Sequence, residues 1–443
     1  MKYAVKRKKY LFNLMIALYP WLSVYAVPGM AFLGINEIIG IVFAIVYFAH
    51  NRGKIRVRTI EKYYFIFIIY SLFETFCAAM MLRSSGSVAD PINRMMRNGL
   101  QFILIAIIAD ELFDIYTFSR IYSLSALLFS GFLLLQKILF LGAGIVIPWL
   151  IPGLPLNYTI QNQQEYYAHY IGKYYHYGSG LRPTGGFSEP TTFACYVLPI
   201  LAMILILKES NSTVWKENKF LMEAAAVAIV LAILSSTSAT GMMGLALIWL
   251  IWFQKRSKHN SWSVIIVPAV VIFGTAMLVY LLNTNEQMQN LMVRLAEVDL
   301  TAGASSGNQR IIRGFAVWLK LPLYLQIFGT GFGNISQTLL SYKISTPFDP
   351  YYGSAYMNAT AELLVSGGVV GFILFCIYFY YIIKGNMNIF ELVAIFMLLM
   401  FSLNMLASAD FVTIIILMKG LQVLNKGINC DENIKSRQQR KNF

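Results

Sequence analysis

Repeated apolar windows constrain this chain more than any other feature. Each has about 17–22 residues, which is long enough for a helix to cross a ~30 Å hydrocarbon core. Only 13% of the 443 residues are charged, whereas soluble domains carry about 25%. The sequence therefore predicts an all-α polytopic membrane protein, a single membrane-embedded domain over residues 1–443. About twelve spans are expected, at 11–28, 31–49, 63–82, 98–114, 121–141, 191–207, 220–236, 240–254, 263–282, 358–383, 388–406 and 409–424.

Basic residues lie at alternate ends of these spans. Clusters precede the first span, follow the second, sixth and eighth, and occupy the tail 425–443. Cytoplasmic loops are enriched in Lys and Arg, so both termini are predicted to be cytoplasmic. Two long segments, about 142–190 and about 283–357, then face outward. The net charge of +14 is partly this topology signal and partly a match to anionic lipid. No nucleic-acid partner is expected.

The first outer loop is rich in tyrosine and poor in charge. Tyr174 and Tyr177 belong to a run of tyrosines beside asparagine and glutamine residues. Such a surface could stack on sugar rings and hydrogen-bond their hydroxyls, and these two tyrosines are candidate substrate-binding residues. An interfacial aromatic belt, common at membrane boundaries, is the alternative. Both interpretations remain open.

The first outer loop ends in the segment Arg182-Pro-Thr-Gly-Gly-Phe-Ser-Glu-Pro190, directly before the predicted span 191–207. Ionisable groups are costly at a lipid boundary unless they have a function. Arg182 and Glu189 are therefore candidate catalytic residues on either side of a flexible Gly-Gly turn. Glu189 could instead cap the following helix, because Pro190 is favoured at a first helical position and a carboxylate suits the helix dipole.

The second outer loop contains two arginines three residues apart. Asn308 is the predicted N-cap of a short helix, and Arg310 and Arg313 would project from one of its faces. Arginine grips phosphate oxygens in a bidentate fork, so both are candidate catalytic residues that bind an anion. The alternative is a surface helix with snorkelling arginines. Arg294 of the same loop is a candidate substrate-binding residue.

These motifs carry a resemblance to a known family. The pattern R-x-x-G-x-F-x-E-P-x-x-F-A is matched over residues 182–194, and Gln309-Arg310 and the glycines of 329–333 follow in the second loop. Asn358, before three further glycines, is similar to the family's next helix start and is a candidate substrate-binding residue. The chain thus resembles Wzy-type polymerases of the O-antigen polymerase and ligase superfamily. Three positions depart from the family pattern: Met357, Ala239 after Ser238, and Ser366.

The resemblance implies polymerisation of undecaprenyl-pyrophosphate-linked repeat units into O-antigen or capsular polysaccharide, on the outer face of a bacterial cytoplasmic membrane. It also implies a glycosyltransferase C-like fold, with membrane lipids, a chain-length regulator and a flippase as partners. The arginines would stabilise the pyrophosphate leaving group, and Glu189 would be the base for the acceptor hydroxyl. No cofactor or metal is expected, since neither outer loop contains Asp-x-Asp and no Cys/His set has ligand spacing.

Other functions stay open at this point. An O-antigen ligase would share the topology, although such ligases tend to carry a histidine where this chain has Met357. A secondary transporter or lipid-glycan flippase would use polar groups within the membrane. Glu74 and Glu362, inside predicted spans, are the residues that favour transport.

Overall fold

The computed structural model describes residues 2–28, 30–51, 61–82, 89–148, 151, 154–155, 181–257, 303, 305–384, 389–422 and 424. Within these ranges the chain is mostly helical. Five helices are long and apolar enough to cross a membrane, and two shorter apolar helices accompany them. The protein is thus a helical membrane protein, as predicted. The predicted span 263–282 lies outside the described residues.

The amino-terminal part contains a small sheet that the sequence did not predict. Helix α1 (Lys2–Leu22) is followed by β1 (Ala26–Val27) and β2 (Met30–Gly34), which pair in antiparallel fashion before α2 (Ile35–His50). The predicted spans 11–28 and 31–49 are therefore wrong at residues 26–34. Apolar residues suit a strand as well as a helix, and strand pairing satisfies backbone groups that would otherwise be unpaired.

The predicted fourth span is helical but irregular. Helix α3 (Glu61–Leu82) comes first, and then α4 (Ala89–Phe102) continues through a π-helical segment, Ile103–Ile108, into α5 (Ala109–Leu112). The Lys419 ammonium donates to the Ile105 carbonyl in the π-helical segment at 2.5 Å. It also lies 2.7 Å from Glu61 and 3.0 Å from Asp110. These acids at the helix ends are thus neutralised by a lysine from the carboxyl-terminal helix.

Helix α7 is the centre of the bundle. It follows α6 (Ile115–Ala143) in the described chain, and it runs from Pro190 to Glu209. In α7, 89% of the most apolar window is buried, against 28–44% in the other four candidate spans. It packs against α6, α8 (Thr213–Ser236), α9 (Ala239–Ser257) and α15 (Phe390–Ser402). Residues 409–422 are also helical. The packing of α7 against its neighbours therefore fixes the position of its amino end.

The described part of the second outer loop folds into short helices that cover the start of α14 (Ala359–Ile383). They are α10 (Ser306–Ile311), α11 (Arg313–Lys320), α12 (Leu323–Phe328) and α13 (Ile335–Ser341). Val317, Leu321, Ile335 and Leu339 are buried in a cluster with the first turns of α14. This loop is therefore an ordered layer on the bundle.

Glycines connect the loop layer to a break in α14. Gly368 interrupts the helix with φ 63° and ψ −172°, a conformation that is essentially restricted to glycine. The freed carbonyls of Val365 and Ser366 accept hydrogen bonds from the backbone N–H groups of Thr330 (2.9 Å) and Gly331 (3.0 Å). A Cβ on Gly329 would lie 2.1 Å from the Ser366 carbonyl oxygen, so only glycine allows this approach. The backbone of residues 329–331 thus positions the loop helices against α14.

Candidate functional site

The segment before α7 forms the predicted Gly-Gly turn. Gly185 and Gly186 both have positive φ, 62° and 94°. The side-chain oxygen of Gln136 in α6 accepts hydrogen bonds from the backbone N–H groups of Thr184 (3.2 Å) and Gly185 (3.0 Å). A Cβ on Gly185 would lie 2.8 Å from the Phe129 carbonyl oxygen. The turn is therefore held tightly against α6.

Phe187 anchors the same turn in the core. Its side chain is fully buried, with ring centroids 5.2 Å from Phe129, 6.0 Å from Phe193 and 5.1 Å from Tyr196. Buried aromatic pairs of this kind add about 0.5–1.5 kcal/mol each beyond their burial. Phe187 therefore fixes the position of the two ionisable residues that flank it, Arg182 and Glu189.

Arg182 reaches the turn between α8 and α9. Its guanidinium donates to the side-chain oxygen and to the carbonyl oxygen of Thr237, both at 3.2 Å. Thr237 ends α8 in the left-handed conformation, with φ 51°. A guanidinium from the segment before α7 therefore lies at the turn between α8 and α9.

Glu189 occupies the N-cap position of α7, but its side chain makes no capping hydrogen bond. The predicted alternative, that its carboxylate caps the helix, is therefore wrong in this structure. One carboxylate oxygen instead lies 3.5 Å from the Arg310 guanidinium, and this side chain is 42% exposed. Pro190 does occupy the first helical position, as expected. The Glu189 carboxylate is accessible and paired across the two outer segments.

Arg310 lies in α10, which begins one turn earlier than predicted. Ser305 is the N-cap, and its hydroxyl accepts a hydrogen bond from the Asn308 backbone N–H. The predicted N-cap Asn308 lies inside the helix, because Ser305 offers a capping hydroxyl three residues earlier. The Arg310 side chain is 27% exposed. It is therefore available to a ligand as well as to Glu189.

Arg313 does not share a site with Arg310. Helix α10 ends at Ile311 and α11 starts at Arg313, although Ile312 between them keeps right-handed helical backbone angles. The Arg313 guanidinium is fully buried, 2.6 Å from Asp349, and it also donates to the carbonyl oxygens of Ser354 and Tyr356. The prediction that the two guanidiniums point to one place is wrong, because three acceptors within the loop surround Arg313.

Asn358 is a buried connector. Its amide oxygen accepts a hydrogen bond from the Ala361 backbone N–H at 2.8 Å, which caps α14. Its amide nitrogen donates to the carbonyl oxygens of Arg310 (2.7 Å) and Ile311 (3.2 Å). The helix start that was expected here is confirmed, but the side chain is 0% exposed. Asn358 therefore positions Arg310 and does not face a ligand itself.

Tyr356 was missed by sequence reasoning. The Tyr356 phenol lies close enough to Arg310 and Glu189 for both charges to act on it. Burial raises the pKa of the Tyr356 phenol, and the Arg310 charge acts in the opposite direction. The one sequence signal was its place two residues before the helix cap Asn358. The phenol hydroxyl therefore lies next to the Glu189–Arg310 pair.

Three candidate residues cannot be placed. Tyr174, Tyr177 and Arg294 lie outside the described residues. In the described part of the chain, no group of three or more His, Cys, Asp or Glu residues is arranged to hold a metal ion.

At the amino end of α7, the accessible Glu189 carboxylate thus pairs with the Arg310 guanidinium near the Tyr356 phenol, while Arg182 contacts the turn at Thr237. Guanidiniums can hold phosphate oxygens, and a carboxylate held by an arginine can accept a proton. Comparisons with family models, with curated proteins and with solved structures found no match for this chain. The chemical arrangement and the motif resemblance therefore carry the functional argument.

Proposed function

We propose that this protein is a polysaccharide polymerase that transfers glycans between lipid-pyrophosphate-linked repeat units. The observation that carries the proposal is the contact between Glu189 and Arg310, which joins the two outer segments of the resembled motif at 3.5 Å. A base for an acceptor hydroxyl and a cation for a pyrophosphate leaving group are then neighbours. Glycosyl transfer from a lipid pyrophosphate requires these two groups.

Each group has one role in the proposed reaction. Arg310 and Arg182 bind the pyrophosphate of the donor and stabilise the charge that develops as its bond to the anomeric carbon breaks. Glu189 takes the proton of the acceptor hydroxyl while that oxygen bonds to the anomeric carbon. Tyr356, whose phenol lies near Arg310, helps to orient the pair. Arg313 and Asn358 act indirectly, because both are buried and hold the backbone that carries Arg310.

The wider setting belongs to the same proposal. The chain would have about twelve spans in a glycosyltransferase C-like fold, in the bacterial cytoplasmic membrane, with both termini in the cytoplasm. Its substrates would be undecaprenyl-pyrophosphate-linked glycans presented on the outer face, and its partners a flippase and a chain-length regulator. Support comes from the alternation of basic clusters, which places Glu189 and Arg310 on that face.

A transport function finds less support among the described residues. Of the two intramembrane acids that favour it, Glu362 lies 2.8 Å from the Arg94 guanidinium, and both side chains are largely buried. A carboxylate held in this way is a structural ion pair. The polar groups that are accessible cluster instead at the outer end of α7.

Reconstituted membranes test the proposal. Purified protein in liposomes would be supplied with lipid-linked repeat units extracted from the source strain, and chain length would be read by electrophoresis. We expect Glu189→Gln, Arg310→Ala and Arg182→Ala each to lower extension about 10²-fold or more. Arg310→Lys should recover little, since a point charge lacks the planar fork.

The matched control is the exposed ion pair Lys208–Glu223, whose atoms are 4.0 Å apart. Lys208→Ala and Glu223→Gln should leave extension unchanged. Normal polymer from Glu189→Gln would remove the base assignment. Normal polymer from all three site variants would overturn the proposed function.

A further inference from the structure

A cavity of about 370 Å³ lies between α3, α12 and α13, apart from the site described above. Its walls are mostly apolar and aromatic, and they include Tyr70, Cys77, Tyr324, Phe328 and Tyr342. The volume falls in the range of small-molecule sites, about 300–1,000 Å³. The neighbouring α3 side chains Phe73 and Met81 are 66% and 78% exposed on the apolar side of the helix. The cavity can therefore be reached from the bilayer.

Glu74 is the polar group of this cavity. It is 7% exposed, and one of its carboxylate oxygens is buried without a hydrogen-bond partner among the described residues. The other buried glutamates of the described chain each have a basic partner: Glu37 with Arg97, Glu61 with Lys419, Glu362 with Arg94, and Glu391 with Lys255. No such partner is found for Glu74 within the same ranges. Among the buried glutamates of the described residues, Glu74 is thus the one without a cationic partner.

The walls of the cavity suit a cation that carries a hydrocarbon chain. A buried carboxylate is costly unless a cation pairs with it. Aromatic faces attract ammonium groups, with about 0.5–2 kcal/mol per contact. The hydroxyls of Tyr324 and Tyr342 hydrogen-bond to each other, and the Tyr70 hydroxyl donates to the Phe328 carbonyl oxygen at 2.6 Å. These tyrosine hydroxyls are satisfied, so the Glu74 carboxyl and the buried Thr330 hydroxyl are the lining groups left to a ligand.

We propose that this cavity binds an amphiphilic organic ammonium ion, with the ammonium on Glu74 and the hydrocarbon chain against the aromatic walls. The ammonium supplies the hydrogen-bond donor that the carboxylate lacks, and the apolar walls take the chain. The ligand can come from a free lipophilic amine or from an aminophospholipid headgroup. This inference does not depend on the proposed polymerase function.

Carbodiimide labelling tests the site in the full-length protein. Dicyclohexylcarbodiimide reacts with a neutral carboxyl in an apolar place. The acid proton moves to a carbodiimide nitrogen, the carboxyl oxygen adds to the central carbon, and an acyl shift leaves a stable N-acylurea. In phosphatidylglycerol nanodiscs we expect labelling at Glu74, mapped by peptide mass spectrometry, and none at the ion-paired Glu362. Dodecylamine should protect Glu74, whereas dodecanol at the same concentration should not.

Direct binding provides the second measurement. Native mass spectrometry would count dodecylamine on the parent protein, on Glu74→Gln and on the control Glu223→Gln. We expect Glu74→Gln to bind about ten- to a hundredfold more weakly, the size of one hydrogen bond to a charged group. Nanodiscs that contain phosphatidylethanolamine would show lowered labelling if the headgroup is the natural source, and unchanged labelling if the source is a free amine.

Three outcomes would overturn the proposal. The first is absence of labelling at Glu74, because the cavity would then be closed to the bilayer. The second is equal protection by dodecanol and dodecylamine, which would mean that only the chain is bound. The third is unchanged dodecylamine affinity in Glu74→Gln.

Discussion

The side-chain amide of Asn358 donates a hydrogen bond of 2.7 Å to the backbone carbonyl oxygen of Arg310. The amide oxygen of the same residue caps α14 through the Ala361 backbone N–H. One buried side chain therefore joins the start of a candidate span to the short helix that carries Arg310 towards Glu189. The position of the arginine depends on a residue that cannot touch a substrate.

Asn358→Asp separates the two roles of this residue. Aspartate is as good an N-cap as asparagine, so the start of α14 should be kept, although a buried carboxylate without a cation should lower the unfolding temperature. The hydrogen bonds to Arg310 and Ile311 are lost, and the new carboxylate repels their carbonyl oxygens. Because displacement of a positioning group by about 1 Å can cost roughly 10²-fold in rate, polymer extension should fall by roughly that factor. Extension at the parent rate would show that Arg310 needs no support from Asn358.

Arg313→Ala should act on stability. Removal of one partner from a buried ion pair costs about 3–5 kcal/mol, and the fully buried Arg313 also serves two carbonyl oxygens. We expect a clearly lowered midpoint in thermal unfolding of the purified protein in detergent. Arg310→Ala is the control, since removal of that partly exposed pair should cost about 0–1 kcal/mol. A stable Arg313→Ala protein without activity would instead indicate direct substrate contact.

Two adjacent glycines of α14 should differ in their tolerance of alanine. Gly368 has φ 63°, and a Cβ there would lie 2.3 Å from the Ile327 carbonyl oxygen. Gly368→Ala should destabilise by at least the ~1–3 kcal/mol of a disfavoured backbone conformation. A Cβ on Gly367 has its nearest neighbour at 3.6 Å, so Gly367→Ala should be neutral or stabilising by about 0.4–1 kcal/mol. Equal melting temperatures for both variants would mean that the break in α14 is not required.

Cysteine labelling checks the orientation in intact cells. In a background with the exposed Cys376 and the tail residue Cys430 replaced by serine, Tyr351→Cys in the second outer loop should react with an impermeant maleimide. Tyr351 is 69% exposed. Lys216→Cys, near the start of α8, should react only after the membrane is permeabilised. The reverse pattern would invert the topology and place the proposed site in the cytoplasm.

Much of the framework could be predicted from local sequence. The predicted windows 63–82, 121–141, 191–207, 220–236 and 240–254 all fall within helices of the structure. Hydrophobic length is a property of consecutive residues, so no distant contact is needed to recognise it. The turn at Gly185-Gly186 and the proline at the start of α7 were predicted for the same reason.

The predictions from sequence fail where contacts between distant residues determine the local backbone structure. The hairpin at 26–34 and the π-helical segment 103–108 have the same apolar composition as a regular span. In the π-helical segment, the Ile105 carbonyl oxygen accepts a hydrogen bond of 2.5 Å from the ammonium of Lys419, which is more than three hundred residues away. A short stretch of sequence gives no information about such a partner.

The sequence by itself predicted a helical membrane protein and the ionisable residues that flank its apolar segments, because helix length and charge placement are local. Only the tertiary structure decided how those residues are used. Arg310 meets Glu189, whereas Arg313, three residues later, is buried against Asp349. Their spacing predicted one shared site, but Asp349 and two backbone carbonyl oxygens of the folded loop surround the Arg313 guanidinium. These acceptors come from residues distant in sequence, so spacing could not predict them.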